Sequence, residues 1–145
     1  ISSAPAIRYP SDVMEFTNDP DPVNNTDLMI VGTAGQKITH MGPDLCKLCN
    51  PHLSSLILRS HLIHKMEGIS GFRHLELLEL YDNQIEALEG LDCKEGDDCG
   101  AGETLNVLDM SFNVIRDMDP VKFCPNLTEL YLANNKVKKI TGLSH

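Results

Sequence analysis

Between Leu75 and Leu91 the apolar residues follow a spacing that belongs neither to a helix nor to a simple strand. With Leu75 as position 1, leucine or isoleucine stands at positions 1, 4, 6, 11, 14 and 17, and Asn83 stands at position 9. Alternation at positions 4 and 6 suits a short strand, the asparagine suits a turn, and the wider spacing beyond it suits a return segment. The frame starts again at Leu53 (Leu56, Leu58, Ile63, Met66, Ile69, Phe72), at Leu105 (Leu108, Met110, Ile115, Met118, Val121) and at Leu127 (Leu130, Leu132, Val137, Ile140, Leu143). The starts at 53 and 75 are 22 residues apart, as are those at 105 and 127; only the step from 75 to 105 is longer, at 30. Such a unit cannot bury its apolar side alone, and stacked units bury it against one another.

The pattern matches the short, 22-residue class of leucine-rich repeat. The expected fold class is therefore α/β, a leucine-rich-repeat solenoid or horseshoe with a parallel concave sheet and short helical or 3-10 convex segments. Strands are predicted at 55–58, 77–80, 107–110 and 129–132, with Asn83, Asn113 and Asn135 forming a hydrogen-bonded ladder that His61 imitates only in part. Residues 1–27, rich in Pro, Asp and Asn, read as an extended or disordered arm. Residues 28–52 read as a degenerate capping repeat, with Leu28, Val31, Ile38 and Met41 at positions 1, 4, 11 and 14. Residues 53–145 hold four repeats, the last incomplete, and 92–104 form an acidic, glycine-rich insertion expected on the convex side or at its edge. The fifth unit reaches His145 without a capping segment. This predicts further repeats beyond it or cover by another chain, and it opens a route to edge-to-edge self-association.

A formal net charge of −9 with no basic patch argues against nucleic-acid binding, and no apolar run approaches a membrane span. Five cysteines without a framework spacing point to a reducing compartment, nucleus or cytoplasm. Cys46, Cys49 and His52 have ligand spacing but lack a fourth ligand, and both cysteines fit equally well as core residues of the cap. Cys93 and Cys99 could close the insertion loop when oxidised. No catalytic constellation, metal site or cofactor motif emerges, so an enzyme is the remote alternative.

Outward-facing strand positions carry the functional expectation. Position 3 holds Ser55, Leu77, Val107 and Glu129; position 5 holds Ile57, Glu79, Asp109 and Tyr131; Tyr81 and Phe112 lie just beyond. Apolar side chains on a solvent face, rimmed by charge, suggest a protein partner. The ordered set Leu80-Tyr81-Asp82-Asn83-Gln84-Ile85, Leu108-Asp109-Met110-Ser111-Phe112-Asn113 and Leu130-Tyr131-Leu132-Ala133-Asn134-Asn135-Lys136-Val137 resembles consecutive repeats of the leucine-rich-repeat regulatory subunit of type 1 serine/threonine protein phosphatase, with Leu53-Ser54-Ser55-Leu56-Ile57-Leu58-Arg59 fitting the preceding repeat. The resemblance covers residues 53–145 and implies a concave face that binds the phosphatase catalytic subunit through acidic and aromatic residues. Carried onto this chain it implicates Asp109 and Tyr131, then Glu79, with Tyr81, Phe112 and Glu129 on the same surface. The insertion departs from that family's regular spacing. A different intracellular partner, such as a cytoskeletal motor or a spliceosomal protein, is the alternative, because those families share the repeat length.

Overall fold

The computed structural model describes residues 13, 17, 20–92 and 100–138. In each unit the alternating leucines draw one face of a short extended segment inward, and the segments pair with those of adjacent units. The strands are β1 (Asp27–Val31), β2 (Ser55–Arg59), β3 (Leu77–Glu79), β4 (Val107–Asp109) and β5 (Glu129–Tyr131). They form one parallel sheet in the order β1-β2-β3-β4-β5. Each step conserves register, so that Leu28, Leu56, Leu78, Leu108 and Leu130 lie side by side. Behind this row the return segments stack Ile63, Ile85 and Ile115, then Met66, Leu88 and Met118, then Ile69, Leu91 and Val121, all buried. Among the described residues, the convex side carries a short helix, α1 (Leu45–Leu48), and two 3-10 segments, Ala101–Glu103 and Asp119–Phe123. This is the leucine-rich-repeat solenoid expected from the spacing.

The first unit differs from expectation in register. Leu28 pairs with Leu56 and Ile30 with Leu58, which places them at positions 4 and 6 rather than starting the unit at Leu28. Val31, expected in the core, is 48% exposed opposite Arg59. The cause is local. Ile38 keeps position 11, but three surplus residues between it and the strand are taken up in a tight turn closed by the backbone of Thr33 and Gln36, each N–H donating to the other's carbonyl at 3.1 and 3.2 Å. Apolar side chains at 28, 29, 30 and 31 permit either phase of alternation, and the phase is decided by packing against β2.

Tertiary contacts also reach into the stretch expected as an arm. Val13 is fully buried in the common core, and the Ser54 N–H and the Asn50 carboxamide donate to the carbonyls of Thr26 and Asn24 at 2.7 and 2.9 Å. The rest of that arm at 1–12, 14–16 and 18–19, the body of the insertion at 93–99 with its two cysteines, and the final segment 139–145 with its expected free edge lie outside the described residues. The insertion departs after buried Leu91 and rejoins where the N–H groups of Ala101 and Gly102 donate to the carbonyls of Gly90 and Leu91, at 3.0 and 3.2 Å. Its two ends therefore meet on the convex side, beside Asp119–Phe123.

The turn ladder is present. Asn83 donates to the carbonyls of Leu58, Leu80 and Tyr81 at 2.9–3.3 Å and accepts from the Ile63 N–H at 3.1 Å. Asn113 and Asn135 repeat these contacts one and two units on. His61, only 3% exposed, accepts from the Ile38 N–H through Nδ1 at 3.0 Å and donates from Nε2 to the Ile30 carbonyl at 2.8 Å. The ring thus bonds to the preceding unit as the asparagines do, but makes no bond to its own strand's carbonyls. It must be neutral with its proton on Nε2, because a backbone N–H needs a lone pair on Nδ1.

Candidate partner-binding face

Side chains at positions 3 and 5 of every strand, and at position 7 of the longer β1 and β2, project from the concave side, because alternate residues face opposite sides of a sheet. The conserved register sorts them into rows. One row runs Asp27, Ser55, Leu77, Val107, Glu129, and the next runs Met29, Ile57, Glu79, Asp109, Tyr131. Beyond the strand ends the chain turns through a left-handed residue at the same position of four units: Ser60, Asp82, Phe112 and Asn134, with φ between 55° and 64°. Aspartate and asparagine tolerate this conformation; a bulky aromatic does so only with strain. Phe112 is the exception to ordinary turn chemistry, and its ring is 44% exposed.

All six residues expected at the site lie on this face, on β3 to β5 and the turns that follow β3 and β4, but they are not equally available. Glu79 is already paired: its carboxylate accepts from Arg59 Nε at 2.7 Å and Nη2 at 3.1 Å. The same guanidinium sits 5.6 Å from the Tyr81 ring centroid, and the Tyr81 and Phe112 rings lie 5.2 Å apart at 56°. Arg59, Glu79, Tyr81 and Phe112 therefore form one connected cluster in which the aromatic edges stay accessible and the two charges offset each other. The Asp109 carboxylate accepts from the Ser111 N–H at 3.0 Å, which orients it without neutralising it. Glu129 accepts from the Tyr131 hydroxyl at 2.6 Å, and this bond raises the phenol above its ordinary pKa. The Tyr131 ring, 46% exposed, is fixed by its own neighbour and not by burial. Asp82 is bonded to the Ser60 hydroxyl at 2.9 Å and exposed.

Sequence reasoning missed Met29 and Val31, the apolar outward side chains of β1, because the first unit was placed out of register. The available signal was the apolar pair itself, out of phase with Leu28 and Ile30. Nothing in the repeat pattern shows that Arg59, the last residue of β2, closes onto Glu79 from the adjacent unit.

Away from this face Cys49 and Cys124 are buried core residues and Cys46 packs against the core partly exposed. Burial pushes the Cys49 thiol up to about 11, helped by Cys46, and burial pushes Cys124 up to about 11 as well. A thiol that resists ionisation is a poor metal ligand or nucleophile.

Residues 103–145 match the family model described as Leucine Rich repeats (2 copies). Leucine-rich repeats are present in this chain. The matched repeats hold β4 and β5, and with them Asp109, Phe112, Glu129 and Tyr131. The chain is 30% identical over 89 residues to the human Leucine-rich repeat-containing G-protein coupled receptor 4, an alignment covering 61% of this chain and 9% of the receptor. It is 32% identical over 92 residues to the 187-kDa microtubule-associated protein AIR9 of Arabidopsis thaliana, covering 61% of this chain and 5% of that protein. The chain thus spans less than a tenth of the length of these curated relatives, and what it shares with them is the repeat architecture.

Proposed function

We propose that this leucine-rich-repeat chain is a non-enzymatic scaffold that docks the catalytic subunit of a type 1 serine/threonine phosphatase on its concave face, in the nucleus and cytoplasm, and so regulates that enzyme's maturation, targeting or activity. The observation that carries the reading is that Tyr81, Asp109, Phe112, Glu129 and Tyr131 stand together on one accessible surface where burial does not account for them. The order of the repeat segments around those residues supports the choice of partner. The ion pair on Glu79 shifts the expected basic contacts to Asp109, Glu129 and Asp82, while Tyr131 and Phe112 serve as aromatic anchors. Binding is measured by calorimetry with the purified phosphatase catalytic subunit. Tyr131→Ala is expected to weaken association by about tenfold or more and to leave the thermal midpoint nearly unchanged. No association of the parent chain, or a large fall in its midpoint on that substitution, overturns the reading.

A second reading is a cytoskeletal partner, favoured by the microtubule-associated description of the Arabidopsis relative. Co-sedimentation with polymerised tubulin separates the two.

A further inference from the structure

Among the described residues Met29 is the most exposed large apolar side chain, at 63%, and Val31 beside it is 48% exposed. Both project from β1 on the concave side, where register carries the apolar character onward to Ile57 on β2 and, one row over, to Leu77 and Val107. Asp27, at the start of β1, carries a carboxylate at this end; the other concave carboxylates lie toward the opposite end. Asp109 and Glu129 stand on β4 and β5, and Asp82 stands in the turn after β3. Between the two blocks lies the Arg59–Glu79 pair, at 2.7 Å, whose opposite charges cancel. Apart from Asp27, the face is therefore polarised along the solenoid axis, apolar over Met29, Val31 and Ile57 and anionic over Asp82, Asp109 and Glu129. From β1 to β5 there are four strand steps, a span of about 19 Å at the usual spacing.

Folding does not explain the apolar end. The core is filled by the inward set Leu28, Ile30, Leu56 and Leu58, each 7% exposed or less. Exposed methionine and valine beside a half-buried isoleucine form a contiguous patch of the kind that marks a protein contact. The chain's net charge of −9 favours a cationic partner. We infer that the concave face accepts a helix of a partner protein that is apolar at one end and basic at the other, laid across the strands with its apolar end on Met29, Val31 and Ile57 and its Lys- or Arg-bearing end over Asp82, Asp109 and Glu129. A helix of about 12 residues has the required length at 1.5 Å per residue. The inference rests on the concave-docking reading and adds β1, the polarity and the chemistry of the occupant.

The test uses the full chain and two fluorescent helical peptides of identical composition. One carries its leucines and methionines in one half and its lysines in the other; the second intersperses them. Anisotropy titrations are expected to show the segregated peptide binding about tenfold more tightly. Met29→Glu and Val31→Glu, at exposed positions, are expected to cut that affinity about tenfold with unchanged circular dichroism. Asp109→Asn combined with Glu129→Gln is expected to flatten its salt dependence while retaining the effect of Met29→Glu. A photoreactive group on the peptide's apolar end is expected to label β1 or β2. Equal affinity for both peptides, no binding of either, indifference to Met29→Glu, or labelling of β5 from the apolar end each overturns the inference. The outcome is separable from the phosphatase reading. Phosphatase binding that responds to Tyr131→Ala but not to Met29→Glu leaves that reading standing and sinks this one. Preference for the segregated peptide without phosphatase binding does the reverse.

Discussion

Acidification should weaken this fold through one residue, His61. Its ring occupies an asparagine's place in the ladder and works only when neutral, because Nδ1 accepts the Ile38 N–H at 3.0 Å. Burial lowers its pKa below the ordinary value of 6.5, the Nε2 bond to the Ile30 carbonyl opposes that shift, and nearby Lys37 adds to it. As pH falls, the unfolded chain takes up the proton first. The stability tied to neutral His61 is therefore complete above the unfolded pKa, near 6.5, and erodes below it until the folded ring also protonates. The slope cannot exceed about 1.4 kcal/mol per pH unit for one proton. At pH 5 the loss is thus capped at about 2 kcal/mol. That ceiling matches the cost of about 1–3 kcal/mol for leaving a buried N–H such as that of Ile38 without an acceptor. The assay is urea unfolding between pH 8 and pH 5 for the parent chain and for His61→Asn, whose carboxamide accepts from Ile38 and carries no proton to gain. Subtracting the two profiles removes the contribution of carboxylates common to both. The difference is expected to be flat above pH 7 and to open by about 1–2 kcal/mol at pH 5, with the asparagine variant the more stable. Parallel profiles across this window would refute the assignment of Nδ1 as an acceptor.

Other perturbations probe the remaining structural claims. Asn113→Ala removes a buried carboxamide that donates to the carbonyls of Leu80, Met110 and Ser111 and accepts from Ile85, and denaturant unfolding should show a loss of about 3 kcal/mol. The same change at half-buried Asn135 should cost less. Gly68→Ala should cost about 3 kcal/mol or more, because φ is +75° and a Cβ would lie 2.1 Å from the Gly42 carbonyl oxygen; unchanged stability would mean that this turn is not as described. Phe112→Asn relieves a left-handed backbone at φ 59° but removes the ring contact with Tyr81. Stability should therefore hold or rise by up to about 1 kcal/mol while partner association falls, and a loss of stability beyond 1 kcal/mol would assign the ring to the fold instead.

The repeat spacing was enough to establish the solenoid. Strand ends fell within one residue of those read from the leucines, because an inward side chain every second residue and a turn asparagine leave one stackable arrangement. The ladder was legible for the same reason, since three asparagines at one position have the same backbone groups within reach. The first unit was not legible. Its four consecutive apolar residues satisfy either phase of alternation, and the surplus turn at Thr33–Gln36 hides the count. Only pairing with β2 decides that Leu28 and Ile30 face the core while Met29 and Val31 face outward. The concave face was legible as a list and not as a site. Sequence determined that Glu79, Asp109 and Tyr131 point outward, since that follows from strand geometry within each unit. Tertiary structure alone decided that Arg59, from the neighbouring unit, closes on Glu79 and leaves Asp109 and Glu129 as the open charges. The physical reason is that alternation is a property of one strand, whereas charge pairing depends on which units stack and in what register.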